Sequence, residues 1–268
     1  MSRRVARVRG VELVYDDAGQ GAPVVLLHGF PLNRSMWDEQ ARELSASFRV
    51  IAPDLRGQGE TQTGGVEAAT MEAMAGDVAA LLDELKVGRA VVGGLSMGGY
   101  VALAFYRAYP ERVRALVLAD TRPQADADEV RRTREETARR ALEEGMVPIA
   151  DTLLPKLLSA GTLEGRPEVV GRVRSMLLGT SPEGAAAALR GMARRRDQTD
   201  LLQAIDVPTL IVVGSEDSVT PPADAELMRD KVGGSRLVLV EGAGHMSNVE
   251  RPEDFNHALA EFLGSLLS

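Results

Sequence analysis

Ser96 sits at the centre of Gly94-Leu-Ser96-Met-Gly98, a G-x-S-x-G pattern. A serine hydroxyl is a weak nucleophile until a neighbouring base takes its proton. The pattern offers the geometry for that step. Small residues two positions either side allow a strand to turn sharply into a helix, with the serine exposed at the tip. At that tip the helix N-terminus presents backbone N–H groups to a developing oxyanion. The chain holds three histidines, so a histidine base must be His28, His245 or His257. His245, in Gly242-Ala-Gly-His-Met246, follows an apolar run and is the candidate base. The candidate acid is Asp217, in Gly214-Ser-Glu-Asp-Ser-Val-Thr-Pro221. Its competitors are Glu216, one residue earlier, and Asp120, at the end of another apolar run. An acid in this place orients the imidazole and stabilises its charged form. The backbone N–H groups of Phe30 and Met97 are the candidate oxyanion donors.

Other chemistry is less well supplied. His28 reads as a structural residue shaping its loop, and His257 as an ordinary helix residue. Asp54-Leu-Arg-Gly-Gln-Gly59 suggests a phosphate loop but lacks the Lys-Ser/Thr ending. With Cys 0 there is no thiolate nucleophile, disulfide or cysteine zinc site. No His/Glu set has metal spacing, so the expected chemistry uses neither cofactor nor metal.

The elements that must position these residues follow from periodicity. Val5–Val8 and Val11–Tyr15 alternate and predict a hairpin turning at Gly10. Pro23-Val-Val-Leu-Leu27, Phe48-Arg-Val-Ile-Ala52, Arg89-Ala-Val-Val-Gly93, Val113–Ala119, Pro208-Thr-Leu-Ile-Val-Val-Gly214 and Ser235–Val240 predict strands, the most apolar of them buried on both faces. Helical spacing covers Trp37–Leu44, residues 69–86, the stretch from Ser96 to Tyr109, and Pro252–Leu267. This alternation predicts an α/β fold with a mostly parallel, doubly wound sheet. Each polar cluster then falls beyond a strand's C-terminal end, where such sheets bind ligands.

Residues 123–197 break the rhythm. They are rich in Arg, Ala, Glu and Leu, and Gly145, Pro148, Pro155, Gly161, Pro167, Gly179 and Pro182 punctuate them into short helices. The expected organisation is a core of residues 1–122 and 198–268 with a helical cap at 123–197. Met146, Leu153, Leu157, Met176, Leu177 and Met192 suggest an apolar acyl pocket under that cap. Trp37 is expected to anchor its own helix, and Arg194-Arg-Arg196 to be a solvated helix end.

The composition narrows the partners. Lys plus Arg total 31 against 39 Asp plus Glu, a net charge of −8 with pI near 5.1. That argues against nucleic-acid binding, which needs a basic face. No apolar run is long enough to span a membrane. Arg3, Arg4, Arg7 and Arg9 open the chain without a following apolar segment, so a cytoplasmic protein is expected. The oligomeric state is left open.

Taken together, L-L-H-G-F-P, A-P-D-L-R-G-Q-G, G-L-S-M-G-G, G-S-E-D-S-V-T-P and G-A-G-H-M resemble the α/β-hydrolase superfamily. They are spread over almost the whole chain outside the cap. With Leu118-Ala-Asp-Thr-Arg122, the sequence is most similar to the carboxylesterase, 3-oxoadipate enol-lactonase and acyl-homoserine-lactone lactonase group. The resemblance implies Ser96 as nucleophile, Asp217 as acid, His245 as base, and Phe30 and Met97 as oxyanion donors. Haloalkane dehalogenases and epoxide hydrolases share the fold but use an aspartate nucleophile, against which Ser96 speaks. The expected activity is hydrolysis of a small-molecule carboxylic ester or lactone, N-acyl-homoserine lactones included. The alternatives are a serine C–C bond hydrolase, a perhydrolase or haloperoxidase-like side activity, and a noncatalytic binding member of the fold.

Overall fold

The computed structural model describes residues 2–267. β1 (Ser2–Val8) and β2 (Val11–Ala18) form the opening hairpin, Val8 pairing with Val11. The turn residues Arg9 and Gly10 have φ of 46° and 82°. Two left-handed residues in a two-residue loop match the twist of the strands they join. Then follow β3 (Ala22–Leu27), α1 (Asp38–Leu44), β4 (Phe48–Pro53), α2 (Met71–Glu84), β5 (Ala90–Leu95), α3 (Met97–Ala108) and β6 (Val113–Ala119). Five helices come next: α4 (Asp128–Glu144), α5 (Val147–Leu157), α6 (Ala160–Gly165), α7 (Pro167–Leu178) and α8 (Pro182–Ala193). The chain closes with β7 (Thr209–Gly214), α9 (Pro222–Lys231), β8 (Arg236–Val240), α10 (Ser247–Glu250) and α11 (Pro252–Ser265).

One eight-stranded sheet runs in the order β1-β2-β4-β3-β5-β6-β7-β8. It is parallel from β4 onward, while β2 meets both its neighbours antiparallel. The apolar runs of β3 to β7 are buried on both faces because alternate residues enter different cores. Val25 and Leu27 of β3, and Ile211 and Val213 of β7, pack with α2, α3 and α9. Val24, Leu26, Leu210 and Val212 pack with α1 and α11 on the other face. Burying one such side chain contributes roughly 1.5–3 kcal/mol, and the repetition across strands makes the sheet the rigid part of the molecule. Trp37 is 1 % exposed and packs on Phe255 of α11, ring centroids 6.0 Å apart. It anchors its helix.

The helices α9 and α10 and the side chain of Arg195 depart from the sequence reading. Periodicity gives no sign of α9 because Pro-Ala-Asp-Ala-Glu-Leu-Met-Arg-Asp-Lys buries only Ala225 and Met228. Arg195 is not solvated. It is 4 % exposed, holds Asp126 at 2.7 Å and lies over the Tyr100 ring at 4.2 Å. It also donates to Gln124 O, and Gln198 N–H donates to Pro123 O. The two ends of the five-helix insertion are thus pinned together at the edge of the sheet.

The loop after β4 is fixed by charge. Arg56 donates Nε and Nη2 to the two oxygens of Asp77 on α2, at 2.7 and 2.6 Å, and both residues are buried. Removing one partner leaves the other charged and dry. Asp77→Ala is expected to lower stability by about 3–5 kcal/mol in urea unfolding. A loss under about 1 kcal/mol would show that Arg56 reaches solvent without its partner.

Candidate active site

Ser96 is the hinge between β5 and α3, with φ 54° and ψ −115°. A non-glycine residue held there costs on the order of 1–3 kcal/mol and needs support from its surroundings. The flanking glycines explain why the turn can close. A Cβ on Gly94 would lie 2.1 Å from Gly98 O, and one on Gly98 would lie 2.1 Å from Leu27 O. Ser96 N–H donates to Ala119 O at 3.0 Å, and Thr121 Oγ1 donates to Ser96 O at 2.8 Å. Met97 opens α3, so its N–H belongs to the group that a helix leaves without intrahelical acceptors. Ser96, His245 and Phe30 all line one cavity of about 440 Å³ at the C-terminal edge of the sheet.

His245 Nδ1 lies 2.8 Å from Asp217 Oδ2, and both residues are buried. The carboxylate can only accept here, so Nδ1 carries a proton, and in the neutral ring the lone pair is on Nε2. Asp217 is further held by Val219 N–H at 2.8 Å, Thr220 N–H at 3.0 Å and Thr220 Oγ1 at 2.7 Å. Burial works to raise the Asp217 carboxyl, but the His245 ring and the Thr220 donors outweigh it and hold it below the usual range. Neither competing acid touches the histidine. The Glu216 side chain is exposed, while its N–H ties the loop to Ala243 O at 2.8 Å. Asp120, at φ 43°, accepts Gly214 N–H at 2.8 Å and Ser247 Oγ–H at 2.5 Å.

A model of the alpha/beta hydrolase fold family matches residues 22–252. The chain belongs to the α/β-hydrolase family. It is similar to 3-oxoadipate enol-lactonase 2 of Acinetobacter baylyi, with 33 % identity over 93 % of this chain and 92 % of that one. Among solved structures it resembles a thermophilic esterase from Thermogutta terrifontis with malate bound, at 44 % identity, TM-score 0.95 and full coverage of both chains. It also resembles the enol-lactonase of Burkholderia xenovorans LB400, at 32 % identity and TM-score 0.90, covering 97 % of this chain and all of that one.

Elsewhere in this hydrolase, His28 is buried and structural in its contacts. Nδ1 donates to Gly29 O at 2.8 Å and Nε2 accepts Leu55 N–H at 2.9 Å, while burial pushes its pKa down. Both ring nitrogens are thereby occupied in the neutral form. His257 is exposed on α11 and does not line the cavity. Among the described residues no helix is long and apolar enough to cross a membrane, and no group of three or more His, Asp or Glu is placed to hold a metal ion.

The cavity differs from an all-apolar pocket. Leu153, Leu157 and Met192 line it, together with Ile149 and Leu189. Met146, Met176 and Leu177 instead pack between helices. Arg122, Arg134, Arg140 and Lys156 face the same space, against the single acid Glu136. Their role was not legible from a helix-forming, charge-rich stretch, because a charge run does not say which of its members turn inward. Arg122 carried the best signal, since it lies three residues past the end of a core strand.

Asp120 gives a test of the site's electrostatics. Burial, then the charge of Asp217, raises its carboxyl well above the ordinary range. A raised folded-state value means the folded protein keeps a proton that the unfolded chain loses above about pH 4. Its contribution to stability is therefore full at low pH and is lost as pH rises to the folded value. Asp120→Asn mimics the protonated form and does not titrate. The variant's stability relative to wild type is expected to climb as pH rises above about 4, the ordinary Asp value, measured by thermal unfolding. A difference that stays flat with pH would show that Asp120 is ionised throughout.

Proposed function

We propose that Ser96, His245 and Asp217 form the catalytic triad of a hydrolase acting on esters or lactones. The chain is a carboxylic ester hydrolase, the class to which the esterase and lactonases named above belong. The observation that carries the triad is the strained Ser96 turn opening on the same cavity as a histidine already oriented by a buried carboxylate. In the proposed reaction His245 Nε2 takes the Ser96 proton as Oγ attacks the carbonyl carbon. The oxyanion is held by the Phe30 and Met97 N–H groups. The intermediate collapses, His245 returns the proton to the leaving oxygen, and an acyl-enzyme remains. Water, deprotonated by His245, then attacks the acyl carbon and frees the acid and Ser96.

Residues 123–197 act as the cap over this site, and their inner wall names the substrate further. Asp126 is buried and serves three guanidiniums: Arg134 at 2.5 Å, Arg195 at 2.7 Å and Arg122 at 3.4 Å. Burial opposes ionisation of Asp126, but Arg134 and Arg195 more than offset it and hold the carboxyl below its ordinary value. One negative charge against three positive leaves an excess, and two of the three guanidiniums line the cavity. Arg122 Nε is moreover buried without an acceptor. A substrate carboxylate would supply both the charge and the acceptor. The reading is a hydrolase of esters or lactones that also carry a free carboxylate, with apolar contacts from Ile149, Leu153 and Leu189 along the carbon chain. That a similar esterase was solved with malate, a small dicarboxylate, supports it.

Two experiments test this. Wild type and Ser96→Ala are compared on p-nitrophenyl esters of increasing length and on lactones, acyl-homoserine lactones among them. Ser96→Ala is expected to lose at least about a thousandfold in kcat, and Asp217→Asn to be far more damaging than Glu216→Gln. Near-normal turnover in folded Ser96→Ala sinks the nucleophile assignment. The second experiment compares half-esters of dicarboxylic acids with neutral diesters of the same length. Wild type should favour the half-ester. Arg122→Gln should raise KM for the half-ester about tenfold, a change of about 1.4 kcal/mol, and leave the neutral ester unchanged. Equal KM changes for both would place the substrate carboxylate elsewhere.

A further inference from the structure

Glu250, the last residue of α10, is fully buried and does not line the substrate cavity. Its two oxygens face different parts of the molecule. Oε1 accepts Gly244 N–H at 2.8 Å, in the residue immediately before His245. Oε2 accepts Ser159 N–H at 2.8 Å and Ser159 Oγ–H at 2.7 Å, in the cap at the start of α6. The two segments also touch directly. A Cβ on Gly244 would lie 2.7 Å from Ser159 N and 2.9 Å from Leu158 C. Arg166, at the start of α7, donates to the Glu250 carbonyl oxygen. Leu157, two residues before Ser159, lines the cavity.

We propose that Glu250 is a positioning residue that clamps the His245 loop to the cap, so that seating of the cap and placement of the base are one event. The proposal rests on the triad reading above. Residue chemistry explains why a carboxylate occupies the place. Every group facing its two oxygens is a donor, two backbone N–H groups and one hydroxyl. Only a group that accepts on both oxygens satisfies them all. A glutamine must turn its NH₂ toward either Gly244 N–H or Ser159 N–H, and one side of the clamp opens. The chain of contacts runs from Leu157 on the cavity wall through Ser159 and Glu250 to Gly244, and so to the imidazole.

The test measures kcat and KM on one p-nitrophenyl ester for wild type, Glu250→Gln, Ser159→Ala, the double variant and Ser96→Ala, with thermal unfolding of each. Glu250→Gln is expected to lower kcat at least about tenfold with KM within about twofold, because the base is misplaced and the pocket is not. Ser159→Ala, which keeps its backbone donor, should lower kcat about threefold, also without a KM change. The double variant should match Glu250→Gln alone, since both act through one link. A folded Glu250→Gln with wild-type kcat, or losses that multiply independently in the double variant, would overturn the clamp. So would losses confined to KM. If Glu250→Gln does not fold, Ser159→Ala decides: reduced kcat at constant KM supports the clamp, and unchanged kcat overturns it. Ser96→Ala separates the two ideas. Surviving turnover there overturns the triad and the clamp with it, whereas a dead Ser96→Ala beside a full-rate Glu250→Gln overturns the clamp alone.

Discussion

A serine forced to φ 54° needs holding on both sides of its backbone, and the end of β6 supplies the hold. Ala119 accepts the Ser96 N–H, and Thr121 donates to the Ser96 carbonyl. The residue between them, Asp120, points the other way and accepts from Gly214 at the end of β7 and from Ser247 in α10. The next residue, Arg122, lines the cavity that holds Ser96 and His245 and reaches Asp126. Four consecutive residues therefore connect the serine turn, the acid-bearing strand, the helix after the histidine and the cationic wall. A parallel sheet makes this possible, because it brings all its C-terminal strand ends to one edge. The twist and close packing of that sheet then hold the edge rigid enough for a strained residue to persist.

The same edge concentrates buried carboxylates, which are costly unless every lone pair finds a donor. Asp120, Asp126, Asp217 and Glu250 are all buried, and the solutions differ. Asp217 takes a histidine, two backbone N–H groups and a hydroxyl. Asp126 takes guanidiniums. Asp120 has one N–H and one hydroxyl and lies close enough to Asp217 to feel its charge, so ionisation is disfavoured there. Asp217 and Asp120 are thus driven in opposite directions by their surroundings. A pair of neighbouring acids can keep one firmly ionised only if the other gives way.

The sheet and its order of motifs were readable because burial on both faces leaves uninterrupted apolar runs, and each run ends in glycine or polar residues. Ser96 and His245 were readable for the same reason: their positions follow from strand ends. The choice among Asp217, Glu216 and Asp120 was harder. Glu216 and Asp217 share one short loop, and which of them turns inward depends on backbone direction within that loop. Arg195 misled because Arg194-Arg-Arg196 looks the same whether its middle member is solvated or stacked on Tyr100. Glu250 carried no signal, since nothing in the sequence pairs it with Ser159, 91 residues away, or says that Gly244 would need a carboxylate. Periodicity reports which faces are buried, and it is silent on which buried polar groups meet.

That silence is greatest for the cap, and the cap is where substrate choice is proposed to reside. Two buried acids of contrasting kind lie where residues 123–197 meet the edge that carries Ser96 and His245. Asp126 lies among guanidiniums, so its surroundings keep an excess of positive charge that extends to the cavity wall. The Glu250 carboxylate lies among neutral donors, so it adds attachment to the histidine loop without drawing a cation into the site. Exchanging the two environments would defeat both. A guanidinium beside Gly244 would set a second charge next to the imidazole that becomes positive in the proposed reaction. Neutral donors around Asp126 would leave the wall without the charge proposed to select an acid. On the proposed reading, charge is placed where a substrate group can meet it, and dipoles are placed where the base must stay free to change its own charge.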